Sequence, residues 1–260
     1  MLHKTVCREQ EAKVRREAPE TYLQTHDLPA PPPYLAVKSA LDFITATALL
    51  ILAMPVMALV AVLVKLTSRG SVIYSQVRLG RFGKPYHIYK IRTMAHDCEK
   101  QSGARWCTTH DPRVTPVGRF LRRTHLDELP QLWNVIRGDM SLIGPRPERP
   151  EFVPALQSAI PHYLDRLQVR PGVTGLAQVQ LPADTDLESV RRKLAYDLYY
   201  VRQVGLWLDL RILLCTGFKV MGVPFNVLRG LFRMPSRIQV ELAYRKIGEP
   251  AQIASSMQLA

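Results

Sequence analysis

"FITATALLILAMPVMALVAVLV", from Phe43 to Val64, holds no charged side chain in 22 residues. A helix of that length is about 33 Å long, enough to cross a hydrocarbon core of roughly 30 Å. Soluble core helices of this length seldom lack charge, so the stretch reads as a membrane-inserted helix. Pro55 sits near its middle. Proline removes one backbone hydrogen bond and clashes with the preceding turn, which predicts a kink or break there. Thr45 and Thr47 can bond back onto their own helix at little cost.

The flanks bear on topology. Lys65, Arg69, Arg78, Arg81 and Lys84 follow the apolar run, so its C-terminal side is expected in the cytosol. Only Lys38 stands close on the other side. The charges therefore leave open whether the segment spans the bilayer or enters and returns.

The whole chain of 260 residues carries a net charge of +13. Residues 65–150 hold 16 basic and 7 acidic side chains, so the positive field is concentrated there. Such a field attracts phosphorylated small molecules, anionic lipid or nucleic acid. Nucleic acid is disfavoured, because no ordered stacking platform of aromatics appears and the uncharged run would have no purpose. Cys7, Cys98, Cys107 and Cys215 form no paired framework, consistent with a reducing, cytosol-facing location. His96, Cys98, Cys107 and His110 lack the close ligand pairs of a zinc site and read as a polar loop.

Residues 1–37 are polar and then proline-rich, and read as a flexible arm. Past the membrane segment, "SVIYSQVR" and "PYHIYKIRTM" joined by "LGRFGK" predict a β-hairpin. "DPRVTPVGRFLRR" predicts a short helix entered at Asp111-Pro112, with Val114, Val117 and Leu121 on one side. "FVPALQSAIPHYLDRL" is helical and broken at Pro161, and "RPGVTGLAQVQ" is a glycine-marked turn or short strand. "LESVRRKLAYDLYYVR" predicts a helix with Leu187, Val190, Leu194, Leu198 and Val201 on one face. "GLWLDLRILLCTGFKV" suits either a core helix or one lying in the membrane interface. "VPFNVLRGLFRMPSRI", with its interleaved arginines, suits the interface.

Between these lies "RRTHLDELPQLWNVIRGDMSLIGPRPE", Arg122 to Glu148. Proline is tolerated in the first turn of a helix, so Pro130 predicts a helix beginning near Asp127 and ending at Gly138. Leu129, Leu132, Trp133 and Ile136 would form its apolar side, and Gln131 and Asn134 would share the polar side with the acids. Asp127 as N-cap and Glu128 as a first-turn acid would be an adequate local account. It does not explain the surrounding Lys90, Arg92, Arg122, Arg123 and Arg146. Cations beside a stabilised carboxylate can hold a phosphate ester against it, with one acid as nucleophile and the other as metal ligand.

"YKIRTM" (Tyr89–Met94), the stretch Asp111–Glu148, "RPGVTGLAQV" (Arg170–Val179) and "LDLRILLCT" (Leu208–Thr216) together resemble the bacterial sugar transferase family. These are monotopic polyprenyl-phosphate phosphoglycosyl transferases of the small catalytic-core type. The resemblance covers about residues 38–220. It implies a mainly helical α/β fold with a small β-hairpin and amphipathic interfacial helices. It also implies a re-entrant membrane helix over 38–66, broken at Pro55, a catalytic domain over 67–222, and a C-terminal extension over 223–260 that is partly amphipathic and interfacial.

The implied reaction moves a phosphosugar from a UDP-sugar to undecaprenyl or another polyprenyl phosphate, an opening step of exopolysaccharide, capsule, O-antigen or glycoprotein glycan assembly. Asp127 would attack, UMP would leave, and Glu128 would hold Mg²⁺. Lys90, Arg92, Arg122, Arg146 and Arg170 match positions expected around the phosphates; Asp209 and Gln131 are site candidates without an assigned role. The implied partners are anionic membrane lipids, downstream glycosyltransferases and a second copy in a homodimer, with no nucleic acid. The implied location is the bacterial cytoplasmic membrane, catalytic domain on the cytosolic face. Two departures stand out: Met54-Pro55 where the family often has Ser-Pro, and Lys38-Ser39 where it often has Lys-Arg.

Overall fold

The computed structural model describes residues 33–95, 98, 111–182, 184, 186–248. Residues 1–32 of the expected N-terminal arm, His96, Cys107 and His110 lie outside them, and residues 34–37 of that arm are already helical. The apolar run belongs to one long helix, α1 (Tyr34–Thr67). The break expected at Pro55 is not an interruption, since Pro55 lies inside this single element. Thr47 Oγ1 donates to Phe43 O at 2.7 Å, as the sequence suggested, whereas Thr45 makes no such bond among the described residues. Only 11% of the most apolar window of α1 is buried within the fold. It is the one described helix long and apolar enough to cross a membrane, and its uncovered apolar surface associates the protein with lipid.

Both ends of α1 nevertheless rest on the same globular body. Near the start, Ala46 and Leu50 join the main core. Near the end, Val60 and Val64 pack with Ile91 and Leu121. Ser68 closes the helix by donating its N–H to Val64 O at 3.0 Å.

The hairpin forms as its alternation predicts. Strands β1 (Ile73–Leu79) and β2 (Pro85–Ile91) pair antiparallel, from Ile73 opposite Ile91 to Leu79 opposite Pro85. Helix α2 (Pro116–Thr124) begins at Thr115-Pro116, not at Asp111-Pro112. Thr115 Oγ1 caps it by accepting from Gly118 N at 2.9 Å. Asp111 instead pairs with Arg113 at 2.6 Å, and Val114 bridges to Met94. A 3₁₀ turn (Leu126–Glu128) then leads into the short helix α3 (Gln131–Ile136).

Strand β3 (Ser141–Ile143) pairs in parallel with β4 (Gly172–Thr174). Glycine is obligatory in this join. A Cβ on Gly172 would lie 2.1 Å from Gly144 N, and one on Gly144 would lie 2.3 Å from Arg170 O. The "IGPRPE" and "RPGVTG" motifs are thus two sides of one close backbone contact.

Helices α4 (Val153–Ala159), α5 (Leu176–Gln180) and α6 (Leu187–Gln203) complete the body around this join. Asp186 opens α6 with a reciprocal cap, accepting from Ser189 N at 2.7 Å. The α6 helix divides two cores. Val190, Leu194 and Leu198 pack with Val153 and Leu156, while Tyr196 and Tyr200 join the main cluster around Leu142 and Ile212. Leu187, expected on the same face, is exposed.

Helix α7 (Leu206–Val220) buries Ile212 and Cys215 but presents Leu206, Trp207, Leu210, Leu214 and Phe218 outward, with Trp207 71% exposed. The helices α8 (Phe225–Leu231) and α9 (Arg237–Gly248) follow. Leu228 and Val240 turn into the main core, while Val227, Leu231, Ile238 and Leu242 stay exposed.

Candidate active site

Five segments bring charged groups to one cavity of about 690 Å³. Strand β2 delivers Lys90, the chain just beyond it Arg92, α2 Arg122, the 3₁₀ turn both acids, and the loop after β3 Arg146. All six of these residues line the cavity wall. Mixed polar and apolar concave sites of this size are where small ligands bind.

The acid pair lies just before α3, not at its cap. Pro130 occupies the N-cap position, and Asp127 caps no amide. His125 sets up the turn with a left-handed backbone, φ 57°, and its carbonyl accepts from Glu128 N at 3.1 Å. Asn134, expected beside the acids, is instead buried and ties α3 to β2. Its Oδ1 accepts from Tyr89 N at 3.1 Å, and its Nδ2 donates to His87 O at 2.7 Å. Gln131 is buried as well and does not line the cavity, while Trp133, expected in the apolar face, is 49% exposed.

The two acids have different partners. Glu128 Oε1 accepts from Lys90 Nζ at 2.6 Å and from Arg146 Nη2 at 2.9 Å. Burial works against its charge, but the Arg146 and Lys90 cations outweigh burial and hold its carboxyl far below the usual range. Asp127 is only 6% exposed and has no hydrogen-bond partner among the described residues. Burial and then the neighbouring Glu128 charge push its carboxyl up, and Lys90, Arg122 and Arg146 offset this in part. One acid is a fixed counter-charge; the other is an uncommitted carboxylate facing a cavity.

The remaining candidates divide. Arg92 spends Nη2 on Ser68 O and Oγ, both at 2.9 Å, and so also anchors the end of α1. Arg122 Nε donates to Thr93 Oγ1 at 2.8 Å. Arg170, expected near the phosphates, does not line the cavity; its Nη1 donates to Ser39 Oγ at 3.0 Å, at the start of α1. Asp209 lies elsewhere too. It accepts from Lys38 Nζ at 2.7 Å, Tyr34 OH at 2.8 Å and Tyr200 OH at 2.7 Å, fastening α1 to α7 and α6.

Sequence reasoning missed several cavity residues: Arg78, Glu148, Arg149, Arg166 and Asp197. Asp197 carried a readable signal. It lies three residues after Leu194 on the apolar side of α6, and an acid there calls for a buried partner.

Magnesium in phosphoryl-transfer sites takes one or two carboxylates and completes its shell with phosphate oxygens and water. No group of three or more His, Cys, Asp or Glu side chains converges among the described residues, so an all-protein cage is absent there. The hydrogen bonds to Glu128 all fall on Oε1. A carboxylate with its second oxygen uncommitted, next to Asp127 and open to a cavity, fits an ion shared with a bound phosphate.

A family model described as "Bacterial sugar transferase" matches residues 33–223. A UDP-N-acetylgalactosamine-undecaprenyl-phosphate N-acetylgalactosaminephosphotransferase of Aeromonas hydrophila is 43% identical over 185 residues, covering 71% of this chain and 44% of its own. A UDP-glucose:undecaprenyl-phosphate glucose-1-phosphate transferase of Klebsiella pneumoniae is 44% identical over 180 residues, 68% of this chain and 38% of its own. A putative undecaprenyl-phosphate N-acetylgalactosaminyl 1-phosphate transferase of Bacillus subtilis is 51% identical over 134 residues, 52% of this chain and 74% of its own. The chain thus spans less than half the length of the first two of these relatives. The matched region contains all the candidate site residues, and α8 and α9 lie beyond it.

Proposed function

This chain belongs to the bacterial sugar transferase family, and from that premise we propose that it moves a sugar 1-phosphate from a UDP-sugar to undecaprenyl phosphate. The observation that carries the reading is Asp127: a buried carboxylate with no hydrogen-bond partner among the described residues, in a cavity walled by Lys90, Arg92, Arg122 and Arg146. The relatives' names supply the substrate class. A diphosphate entering this cavity meets cations that neutralise it, which lets an anionic nucleophile approach.

Chemistry follows in two displacements at one phosphorus. An oxygen of Asp127 attacks the sugar-bearing phosphorus, the bond to the bridging oxygen breaks, and UMP leaves with the electron pair. A phosphosugar-aspartyl ester remains. An oxygen of undecaprenyl phosphate then attacks the same phosphorus, and the Asp127 carboxylate departs, giving undecaprenyl diphosphate sugar. Glu128, with Asp127 beside it, would hold the Mg²⁺ that supplies charge neutralisation on the diphosphate.

Topology fits this use. Both ends of α1 rest on one body, which cannot sit on both faces of a bilayer. On this reading both flanks of α1 lie on one face, and the basic residues after it support a cytosolic face, at the bacterial inner membrane. The exposed stripe of α7 then lies along the interface, where it brings the cavity to the level of a lipid phosphate.

Asp127→Asn tests the reading. Turnover of UDP-glucose or UDP-N-acetylgalactosamine with undecaprenyl phosphate should fall by at least about a thousandfold, with the thermal midpoint retained. Near-normal turnover by this variant would exclude Asp127 as nucleophile.

A further inference from the structure

The loop carrying Arg146 is unusual in how it is held. "GPRP" offers few backbone donors, because Pro145 and Pro147 have no N–H. Its carbonyls are nevertheless bound one after another. Pro145 O accepts from Gly172 N at 2.9 Å, Arg146 O from Arg166 Nη2 at 2.9 Å, Pro147 O from Arg78 Nη1 at 3.2 Å, and Glu148 O from Leu79 N at 3.2 Å. Two of the four donors are guanidinium groups reaching in from distant sequence.

Arg166 is the more committed of the two. It is 8% exposed, and its Nη2 also pairs with Asp197 Oδ2 at 2.7 Å, where Asp197 is 3% exposed. Its Nη1 donates to Tyr163 OH at 3.0 Å. Both terminal nitrogens are thus spent on protein acceptors, although the residue borders the cavity. A buried guanidinium with its charge met by Asp197 and both terminal nitrogens bound to protein oxygens is a mount and not a free phosphate ligand, although its buried Nε has no partner among the described residues.

We propose that Arg166, held by Asp197, is a positioning residue for the transfer reaction: it fixes the backbone of Arg146, and through it the guanidinium that pins Glu128. The chain of contacts is continuous, from Asp197 to Arg166, to the Arg146 carbonyl, and from the Arg146 side chain to Glu128 at 2.9 Å. This rests on the function proposed above. Lysine in place of Arg166 keeps the charge but has no planar fork to reach the carboxylate, the phenol and the carbonyl together.

The test is a double-mutant cycle on the full chain in detergent, read as UMP release from UDP-glucose and UDP-N-acetylgalactosamine. Arg166→Lys should lower kcat by about tenfold to a hundredfold in the native background, and by less than about threefold when Arg146 is already alanine. Equal losses in both backgrounds would overturn the proposal, since a general structural role multiplies through. Asp197→Asn, which keeps an acceptor and the volume, should give the same pattern and serves if Arg166→Lys does not fold. A second readout needs no turnover. The side-chain Nη–H signal of Arg146, whose Nη2 donates to Glu128, should be protected from exchange in NMR of the native protein and exchange-broadened in either variant; an unchanged signal would also overturn it. If the native chain releases no UMP from either donor, the proposed function fails, and the NMR signal alone decides the mount.

Discussion

Asp127 and Glu128 are neighbours in sequence with opposite electrostatic fates. Two cations hold Glu128 ionised, while burial and the Glu128 charge raise Asp127. A nucleophilic Asp127 must be ionised, so its rate is lost as pH falls through a raised pKa. The acidic limb of UMP release should therefore lie above the usual carboxylate range. Glu128→Gln removes one of the two raising causes and leaves Lys90 and Arg146 free to act on Asp127. The limb of the residual rate should then move to lower pH, as a pH profile of single-turnover UMP release would show. An unchanged limb would assign it to another group. The acid pair was legible in the sequence because it stood among arginines, but its geometry was not. Local rules read Asp127 as an N-cap and Glu128 as a first-turn acid, whereas Asp127 caps no amide and Glu128 turns to cations contributed from positions 90 and 146. No short-range pattern records those contacts.

Helix α1 owes its seat to a few buried polar groups. Lys38 lies between Asp209 at 2.7 Å and Asp42 at 3.6 Å, both buried. Lys38→Met would leave two buried acids without their cation and should destabilise the fold by about 3–5 kcal/mol, measured by denaturant unfolding. A loss under about 1 kcal/mol would mean that the tyrosine hydroxyls suffice. Gly172→Ala forces a Cβ onto Gly144 N and should part β3 from β4. Activity should fall with stability, which paired thermal melts and UMP assays would reveal. At this scale the sequence was a good guide wherever a period was long: the hairpin, α1 and α6 lie where alternation and apolar runs predicted. The β3–β4 pair was not legible as a pair, because three-residue strands carry no period and parallel pairing joins residues about thirty apart. The uninterrupted course of α1 through Pro55 was also missed, since proline predicts a lost hydrogen bond more surely than a helix end.

As a whole, the molecule joins two solvents. A helix with most of its apolar surface uncovered adjoins a basic body that holds a cavity for charged ligands. Its topology is testable at exposed positions on the two flanks. Val37→Cys and Leu66→Cys, in a background without the native cysteines, should both resist a membrane-impermeant thiol reagent in spheroplasts and both react after permeabilisation. Labelling of Val37→Cys from outside would mean that α1 spans. The basic charge and the membrane segment were plain in the sequence, but the contact of both helix ends with one body needed the fold. The central claim is that Asp127 carries the phosphosugar, and one experiment reaches it directly. The purified chain is mixed with UDP-glucose or UDP-N-acetylgalactosamine and Mg²⁺ with no lipid present, quenched, and digested for mass spectrometry. The account predicts UMP release of up to one equivalent and a sugar-phosphate mass addition on the peptide containing Asp127, both absent in Asp127→Asn. Lipid-dependent turnover without any such adduct or release would contradict it and point to direct transfer between the two substrates.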